Sequence, residues 1–476
     1  MPRRTRGKSL KRLRSCENGA DQSESTTPAR KYAAVNDERT KICSGASTRK
    51  TIPAISVTPL IGNNSHNLVH HIYNTSFGRM SQHTMRKSFC QPFVHILSNA
   101  KVYRTASPFD RRVTALEWHP THPTVLAAAS KCGDMILWDY ERTDKQEFIS
   151  GTGKGDAITG LKFNVDDPNT VYTSSVFGKI SLQDFTGRQS KILLESDDWI
   201  RNWYCALDVS FTTGLVTVGD SVGNALLLSR EGKVLWNHKL HKQKITHCEF
   251  NPQCDWLLVT SSVDKTVKLW DVRMIKGKDS VVHVLNHEKP VNSAYFSPDN
   301  NRLLTTDQYS EIRVYHSPDW SRVMKTILHP HRFFQHITAF KATWHPMCDL
   351  IVVGRYPDEK FPGYIPNETR SIDVIDVNTG DIVCQIKDSK APGLISLNKF
   401  SHGGDVLASS MGVNILIWHK NVDIERKQQA MMEEMRLSGV KPNEVTESQN
   451  RRRPQQRSTR IDAAMKSKIA AKLRKQ

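Results

Sequence analysis

Apolar residues follow a regular pattern between about residue 110 and residue 420. Short segments with the alternation of β-strands end in an aromatic or apolar residue just before a turn, as in ALEWHP, HCEFNP and SAYFSP. The anchors of this first series are Trp118, Phe163, Val209, Phe250, Phe296, Trp344 and Phe400. A second series follows, with anchors at Trp138, Gln183, Leu228, Trp270, Tyr315, Ile375 and Trp418. The chain therefore contains seven copies of one structural unit.

The period of this repeat predicts the fold. Successive anchors of the first series lie 41 to 56 residues apart. A period of ~40–45 residues with Trp-Asp endings is typical of WD repeats, each of which forms a four-stranded blade. Most units lack the full Gly-His and Trp-Asp pair, so the repeats are degenerate. We predict an all-β, seven-bladed WD-repeat β-propeller over residues 105–420.

The segment 67–98 has a different pattern. Its apolar residues recur at spacings of three and four, which indicates the apolar faces of amphipathic helices. The letters SFGRMSQ interrupt the pattern, so we predict a helix–loop–helix ahead of the propeller. The helices would either cap the edge of the propeller or dock on a partner. The residues concerned are Leu68, Ile72, Phe89, Phe93, Ile96 and Leu97.

Two stretches break the repeat. In the sixth unit the two anchors are 31 residues apart instead of 18 to 20, which leaves a long loop with three prolines at 354–370. The connection between the fifth and sixth units is also long, and it contains HPHRFFQHITAF at 329–340. Because rigid scaffolds carry binding residues on loops, we predict that Phe334, Gln335 and His336 form a tip here. The alternative is that both phenylalanines of this stretch pack into the blades.

Basic residues fall at comparable loop positions around the repeat. Connections of the same type open on the same face of a propeller, so these residues would form a basic ring around an aromatic wedge. A basic ring suits phosphates and a wedge suits base stacking. The alternative is that each one is an ordinary solvated charge. The residues are Arg111, Arg112, Lys131, Lys242, Lys244 and Arg332.

The net charge of +19 comes mostly from the two ends of the chain. Residues 1–50 carry a net charge of +8 and residues 421–476 carry +7, which leaves +4 for 51–420. Any DNA-binding surface on the propeller must therefore be a local patch. We predict disordered basic tails at 1–60 and 421–476, the second partly helical. The N-terminal RRTRGKSLKRLR favours nuclear import over a nonspecific basic tail.

Several classes of protein are excluded. No stretch approaches the ~18–20 apolar residues of a membrane span, so we expect no membrane partner. The nine cysteines are scattered without a CxxC motif, which indicates reduced thiols. The sequence shows no nucleophile–base pattern, no HExxH and no paired Cys/His spacing. We therefore predict no catalytic residues, no metal and no cofactor.

Four stretches carry a resemblance to a known family. FDRRVTALEWHPTHP, WNHKLHKQKITH, HPHRFFQHIT and IVVGRYPD resemble the WD-repeat proteins that form the small subunit of the UV-damaged DNA-binding complex. The resemblance covers roughly 67–420, and its motifs are more specific than a generic WD repeat. The tails are not covered, and the extension past about 421 departs from the family. Val413 also departs, because the family has an aromatic residue there.

The resemblance implies that damaged double-stranded DNA is the partner. Phe334, Gln335 and His336 would enter the minor groove at a pyrimidine photolesion and fill the gap left by the flipped lesion. This recognition would initiate global-genome nucleotide excision repair. The residues that would hold phosphates, without reading base sequence, are Arg112, Lys131, Lys244 and Arg332.

The resemblance also implies a non-catalytic role as the substrate receptor of a cullin-RING ubiquitin ligase. The large subunit of the same complex would be the adaptor, and histones of nucleosomes would be the substrates, so the chain would be nuclear and chromatin-associated after damage. The helix–loop–helix would dock on the adaptor together with a box ending in Trp-Asp-x-Arg. That box contributes Trp256, Asp264, Trp270, Asp271 and Arg273. If Trp270 and Asp271 are structural residues of the repeat, only Arg273 among these three would contact the adaptor.

Other functions compete with this one. A WD scaffold could bind a histone tail or another peptide through the phenylalanine pair, and an RNA-processing scaffold is a third option. A DNA sensor should lose affinity steeply with salt and prefer lesions at fixed salt, whereas a peptide receptor should do neither.

Overall fold

The fold is a ring of seven β-sheets, each with four antiparallel strands. The computed structural model describes residues 73–79, 81–142, 146–187, 190–332, 338–362, 364, 366 and 369–437. Because each sheet is one blade, the prediction of a seven-bladed β-propeller is confirmed.

The strands follow one another from the innermost to the outermost position of each blade, except that β1 (Ala100–Ala106) belongs to blade 7. Blades 1 to 3 contain β2 Val113–Trp118, β3 Val125–Ser130, β4 Met135–Asp139, β5 Gln146–Ile149, β6 Ile158–Phe163, β7 Thr170–Ser175, β8 Lys179–Asp184, β9 Lys191–Glu195, β10 Tyr204–Val209, β11 Val216–Asp220, β12 Asn224–Leu228 and β13 Val234–Lys239. Blades 4 to 6 contain β14 Ile245–Phe250, β15 Leu257–Ser262, β16 Thr266–Asp271, β17 Val281–Asn286, β18 Val291–Phe296, β19 Arg302–Asp307, β20 Glu311–His316, β21 Val323–Leu328, β22 Thr343–Trp344, β23 Leu350–Gly354, β24 Ile372–Asp376 and β25 Ile382–Ile386. Blade 7 contains β26 Ile395–Phe400, β27 Leu407–Met411 and β28 Asn414–Lys420, with β1 outermost.

The anchors found in the sequence occupy equivalent positions in all seven blades. Those of the first series are the last residues of the innermost strands, and those of the second series lie in the third strands. Two of the indole nitrogens join neighbouring blades: Trp118 Nε1 donates to the carbonyl of Lys399 at 2.9 Å, and Trp344 Nε1 donates to the carbonyl of Tyr295 at 3.0 Å. The anchors therefore recur at regular spacing because they occupy the same place in each blade, where two of them bond to the neighbouring blade.

The hydrophobic core of the described residues is divided into seven clusters, one between each pair of adjacent blades. The cluster between blades 1 and 2, for example, packs Ala127 and Ala129 against Leu161. Each cluster needs both of its blades, because a single sheet cannot cover its own apolar faces. Burial is therefore complete only when the ring closes.

A β-bulge recurs at the start of six of the innermost strands, where the pairing shifts after the first residue. In three of them the residue at the shift donates a side-chain hydrogen bond to a backbone carbonyl of the next blade. Thr159 donates to Tyr204 at 3.0 Å and Thr246 to Val291 at 2.6 Å. The amide of Asn292 donates to Phe340 at 3.1 Å. The first two bonds join consecutive innermost strands, and the third reaches the segment that leads into β22.

Strand β1 closes the ring by pairing antiparallel with β28. Val102 lies opposite Trp418 and Ala106 lies opposite Ile415, with a bulge between Val102 and Arg104. The predicted propeller began at residue 105, so this strand was not predicted. Chain segments about 300 residues apart thus share blade 7, which protects the edge of β28.

Two long helices flank the closing strand. Helix α1, Gln82–Ser98, starts at Ser81, whose side chain accepts from Thr84 N, and it leads into β1. A short helix at 73–76 and a turn precede it, so the loop of the predicted helix–loop–helix is present, while Leu68 and Ile72 lie outside the described residues. Helix α2, Asn421–Leu437, continues directly from β28. Neither helix meets the length and hydrophobicity needed to cross a membrane, and the same holds across the described part of the chain.

The antiparallel order divides the connections between two faces. We call the top face the one that carries the connections into the innermost strands and the turns between second and third strands. The bottom face carries the remaining connections. All loops of one type therefore share a face, as the sequence analysis assumed.

The closing strand can be tested through Val102, which is 4% exposed and packs between blades 6 and 7. Val102→Ala should lower the free energy of unfolding by roughly 1.5–3 kcal/mol, because it removes buried apolar surface and leaves a small cavity. Urea denaturation followed by tryptophan fluorescence measures the change. The matched control is Lys101→Ala at the adjacent exposed position, which should change stability by no more than about 0.5 kcal/mol. Equal effects of both substitutions would contradict a stabilising role for β1.

Candidate functional site

The four predicted phosphate-binding residues all lie on the top face. Arg112 precedes β2, Lys131 follows β3, Lys244 precedes β14 and Arg332 follows β21. Backbone bonds tie them to their neighbours: Lys131 N donates to the carbonyl of Arg112 at 3.0 Å, and Val263 N donates to that of Lys244 at 3.0 Å. The structure therefore places these cations on one face.

The environments of these cations differ. The side chain of Lys131 is exposed, whereas those of Arg112 and Lys244 are half-buried. Burial lowers the pKa of the Arg112 guanidinium from its ordinary 12.5, but the group stays charged at neutral pH. Burial raises the pKa of the Cys205 thiol to about 12, although a hydrogen bond and the charge of Lys244 oppose the rise. Lys244 is thus held next to a neutral thiol rather than a carboxylate.

Arg332 belongs to a cation–aromatic cluster that the sequence analysis did not predict. Its guanidinium carbon lies 5.1 Å from the ring centroid of Tyr309, and Lys289 Nζ lies 5.7 Å from the same centroid. Tyr309 is in the turn between β19 and β20, and its side chain is 40% exposed. The top face thus carries an accessible aromatic ring with two cations beside it.

Phe334, Gln335 and His336, the predicted tip, lie outside the described residues. The chain on the C-terminal side of the tip reaches towards blade 1: Thr338 Oγ1 donates to the carbonyl of Val113 at 2.9 Å. On the N-terminal side, the carbonyl of Pro330 accepts from Tyr356 N at 2.9 Å. The two irregular loops predicted from the sequence are therefore in contact.

A buried chain of charged and imidazole groups holds the N-terminal side of this loop. His331 Nε2 lies 3.2 Å from Asp307 Oδ1, and its Nδ1 lies 3.3 Å from His329 Nδ1. His329 Nε2 lies 3.3 Å from Asp373 Oδ2, which also accepts from Arg355 Nη1 at 2.9 Å. We call Asp307, His331, His329, Asp373 and Arg355 the histidine relay.

The relay connects blades 5 and 6 below the top face. Burial would raise the pKa of Asp373, but the hydrogen bond with the His329 ring and the hydrogen bond and positive charge of Arg355 hold that pKa below its usual value. Burial lowers the pKa of His329 to about 4, so this imidazole is neutral at pH 7. The two side chains are almost fully inaccessible, at 1% and 0% exposed. The relay therefore fixes backbone next to Arg332.

A separate cluster lies on the bottom face of blade 4. Arg273 donates from Nε to Asp271 Oδ1 at 2.9 Å and from Nη2 to Asp271 Oδ2 at 2.7 Å. Its guanidinium carbon is 4.9 Å from the ring centroid of Trp256, which is 41% exposed. The Arg273 side chain is 63% exposed. Three residues of the predicted adaptor box are thus together and accessible.

The other two residues of the box have structural roles, so their prediction as adaptor contacts is wrong. Trp270 is fully buried, and its Nε1 donates to Thr260 Oγ1 at 2.8 Å. That hydroxyl lies 2.7 Å from His241 Nε2, and His241 Nδ1 lies 3.0 Å from Asp264 Oδ2. Asp264 is on the top face, and its side chain is 4% exposed. Burial would raise the pKa of Asp264, but hydrogen bonds from His241, Thr266 and Lys242 N hold it well below its usual value.

The apolar face of α1 is used by the propeller itself. Phe89, Phe93 and Leu97 pack on the cluster between blades 6 and 7, with Leu97 only 1% exposed. Ile96 is half-buried. The prediction that Leu97 contacts an adaptor is therefore wrong, and the capping alternative describes this face.

Arg86 fastens α1 to the bottom face of blade 6. Its Nε donates to Asp349 Oδ1 at 2.8 Å, and its two terminal nitrogens donate to the carbonyls of Pro346 at 3.0 Å and Cys348 at 2.7 Å. The side chain is 7% exposed, so the helix is held by a buried ion pair as well as by apolar packing. This leaves the outer surface of α1 at a fixed position on the bottom face.

Comparison with known proteins agrees with this architecture. The family model described as "WD domain, G-beta repeat" matches residues 232–271 and 279–316. The chain is 50% identical over 410 residues to DNA damage-binding protein 2 of Danio rerio, covering 85% of this chain and 82% of that protein. It is 48% identical over 407 residues to the Gallus gallus protein of that name (84% and 80% covered), and 47% over 367 residues to the Mus musculus one (77% and 85% covered).

The chain belongs to the DNA damage-binding protein 2 family. This confirms the resemblance that four short stretches indicated. The WD-repeat match is confined to the segment from the outer strand of blade 3 to the third strand of blade 5. The remaining blades keep the geometry of this family without the full repeat signature, as their degenerate anchors indicated.

The histidine relay and Tyr309 are the parts of this family member's top face that sequence reasoning missed. The letters HPH at the start of the 329–340 stretch were a signal, because histidines on both sides of a proline suggest a fixed polar turn. Their partners Asp307 and Asp373 could not be assigned from sequence, since they lie 24 and 44 residues away in different blades. Among the described residues, no group of His, Cys, Asp or Glu side chains is arranged to hold a metal ion.

The relay predicts a pH dependence of stability. Unfolded histidine takes up a proton near pH 6.5, whereas folded His329 does so only near pH 4, so its contribution is lost as the pH falls through this window. Between pH 7 and pH 5 this group should remove roughly 2 kcal/mol from the free energy of unfolding. Urea denaturation at both pH values measures this loss of unfolding free energy. In His329→Gln the loss should be smaller than in wild type by the same amount.

The control for this experiment is His316→Gln, because the His316 side chain is exposed at the end of β20. It should keep the wild-type pH dependence. If His329→Gln also keeps it, His329 is not held neutral in the folded protein.

Proposed function

We propose that the chain recognises UV photolesions in double-stranded DNA with the top face of its propeller. Membership of the DNA damage-binding protein 2 family supports a role in DNA damage recognition. The observation that carries the proposal is the position of Arg112, Lys131, Lys244 and Arg332 on the same face as the 329–340 loop. Recognition there would initiate global-genome nucleotide excision repair.

The cations would position DNA without reading its sequence. Arg112 and Lys244 are half-buried next to the innermost strands, and the exposed Lys131 is joined to Arg112 through its backbone. Contacts with phosphate fix the register and orientation of a duplex but carry no base information. This suits a lesion sensor, because photolesions occur in many sequence contexts.

Phe334, Gln335 and His336 would read the lesion by insertion. Unstacking a damaged step takes less free energy than unstacking an intact one, so a wedge favours lesions. A wedge must be held in place, and the described flanks supply this: His331 is fixed by Asp307, and Thr338 is bonded to Val113. The flipped lesion would leave a gap that the inserted side chains fill.

The direct test is competition binding at fixed salt with a duplex carrying one UV dimer and the same undamaged duplex. The wild type should prefer the lesion, and the variant with alanine at 334, 335 and 336 should lose roughly ten- to hundredfold of this preference, the value of one or two stacking contacts. Affinity for the undamaged duplex should change little. Equal binding of both duplexes by the wild type would contradict lesion recognition.

A matched variant separates the binding of phosphates from the recognition of the lesion. Lys244→Ala should weaken binding to both duplexes by a similar factor and reduce the slope of log K against log salt by about 0.9, the contribution of one phosphate. Lys233→Ala, at an exposed position on the bottom face, should leave both quantities unchanged.

We further propose that the bottom face docks the chain, as a non-catalytic substrate receptor, on the adaptor of a cullin-RING ubiquitin ligase that modifies histones in chromatin. The cluster of Trp256, Asp271 and Arg273 supports this, because it presents a rigid guanidinium beside an exposed indole. Arginine and tryptophan are enriched where binding energy concentrates. It also lies on the face opposite the DNA-binding cations, so both partners could bind together.

Arg273→Ala should weaken binding to the adaptor by roughly 2 kcal/mol, about 30-fold, because it removes the cation from the cluster. Surface plasmon resonance with immobilised adaptor measures the effect, and circular dichroism checks the fold. Arg322 is the matched control, since it occupies the corresponding bottom connection of blade 5 and is exposed. Unchanged binding by Arg273→Ala, or an equal loss in Arg322→Ala, would remove the proposed role of Arg273.

A further inference from the structure

The channel at the centre of the propeller contains a cavity of about 290 Å³. The innermost strands line it, and three of the lining positions are the small residues Ala115, Gly160 and Ala206. The volume is close to the lower end of the ~300–1,000 Å³ typical of small-molecule sites. The proposed DNA and adaptor surfaces do not use this space.

Two of the lysines that line the cavity have carboxylate partners. Lys162 Nζ lies 2.9 Å from Asp208 Oδ1, and Lys399 forms an ion pair with Glu117. Glu249 accepts from Phe296 N at 2.7 Å, and burial raises the pKa of this carboxyl to about 8, so it is mostly protonated at neutral pH. The remaining acid of the channel therefore adds little negative charge.

Lys341 is different, because it forms no ion pair with a carboxylate of the described residues. Burial, together with the positive charges of Lys162, Lys399 and Lys244, lowers the pKa of its amine to about 8. The group that most favours its charged form is the Cys248 thiol, whose own pKa is raised by burial, so that thiol is neutral at pH 7. Lys341 is thus a half-buried cation with like-charged neighbours and no counter-charge in the part of the chain that is described.

Two further polar side chains, His247 and Tyr295, line the same cavity. His247 Nδ1 is buried and has no hydrogen-bond partner among the described residues, and the His247 ring lies 4.4 Å from that of Tyr295. Burial and the charge of Lys341 keep the pKa of His247 well below its usual value, so the ring is neutral. Burial also raises the pKa of Tyr295, which keeps its hydroxyl protonated. Both residues, like Lys341, line the cavity.

We propose that the central channel binds a small oxyanion, a phosphate or a carboxylate, with Lys341 as its charge partner and His247 and Tyr295 as hydrogen-bond donors. A half-buried ammonium without a counter-charge and a buried imidazole nitrogen without a hydrogen bond are both unfavourable, and one bound anion would relieve both. Bound anion would also favour the charged form of the amine. The cavity admits a ligand of a few heavy atoms and excludes a duplex.

The test uses wild-type protein and competitive acetylation with a trace of acetic anhydride at pH 8. Peptide mass spectrometry measures the rate at Lys341 relative to exposed Lys233, in chloride, phosphate or acetate at equal ionic strength. We expect Lys341 to react, and the anion that binds to slow its acetylation by a factor of 1 + [L]/Kd, about threefold at twice Kd. Protection by phosphate or by acetate identifies the class of ligand. Equal rates in all three salts, or no reaction at Lys341, would overturn the proposal.

A second measurement separates the channel from the basic top face, which also attracts phosphate. Adding the protecting anion should raise the thermal unfolding midpoint of wild type and of Lys233→Met by the same amount, and that of Lys341→Met by less. In chloride, Lys341→Met should be at least as stable as wild type, because it removes a partly desolvated charge without a counter-charge. An equal anion-dependent rise in all three proteins would show that the anion binds elsewhere.

Discussion

The pairing of β1 with β28 is the interaction on which the rest of the structure depends. Without it β28 would be the exposed outer edge of blade 7, and the apolar clusters on either side of that blade would lose the side chains that β1 contributes, Val102 among them. Seven separate inter-blade clusters replace a single core, so no blade is stable unless both of its neighbours are present. Closure also sets the diameter of the channel, because side chains at the bulges, such as Thr246, bond to the next innermost strand.

The closed ring separates functions by face. Every connection into an innermost strand opens on top, where the cations and the 329–340 loop lie, and α1 and the Arg273 cluster are on the bottom. A rigid ring keeps these surfaces at a fixed distance and orientation. The proposed receptor, which would bind damaged DNA on one face and a ligase adaptor on the other, needs such a spacer, whereas a peptide-binding scaffold does not.

Local patterns in the sequence were enough to predict the blades, because each anchor such as Trp118 is fixed by its own strand and turn. The contacts that join distant segments were not predictable in this way. Val102 opposite Trp418 and His329 beside Asp373 follow from ring closure and loop path, which no local period records. The apolar stripe of α1 was detected, but a stripe does not specify the surface it covers, and Leu97 turned out to face the propeller. The clustering of Arg112 and Lys131 on one face was predictable because topology alone decides it.

The histidine relay shows what a buried polar network contributes to such a site. Replacing buried ion pairs by apolar residues is often neutral or stabilising, so Asp373 and Arg355 are not required for stability alone. Apolar packing cannot fix the orientation of the chain in this way. The hydrogen bond that His331 donates to Asp307, and the one between the two histidines, hold one orientation of the chain just before Arg332. The proposed wedge would work only if the chain that carries it keeps its position while the DNA is opened. The relay therefore costs some stability but holds the chain before Arg332 in one position. A fixed position matters here only if a binding partner pushes against the loop that follows.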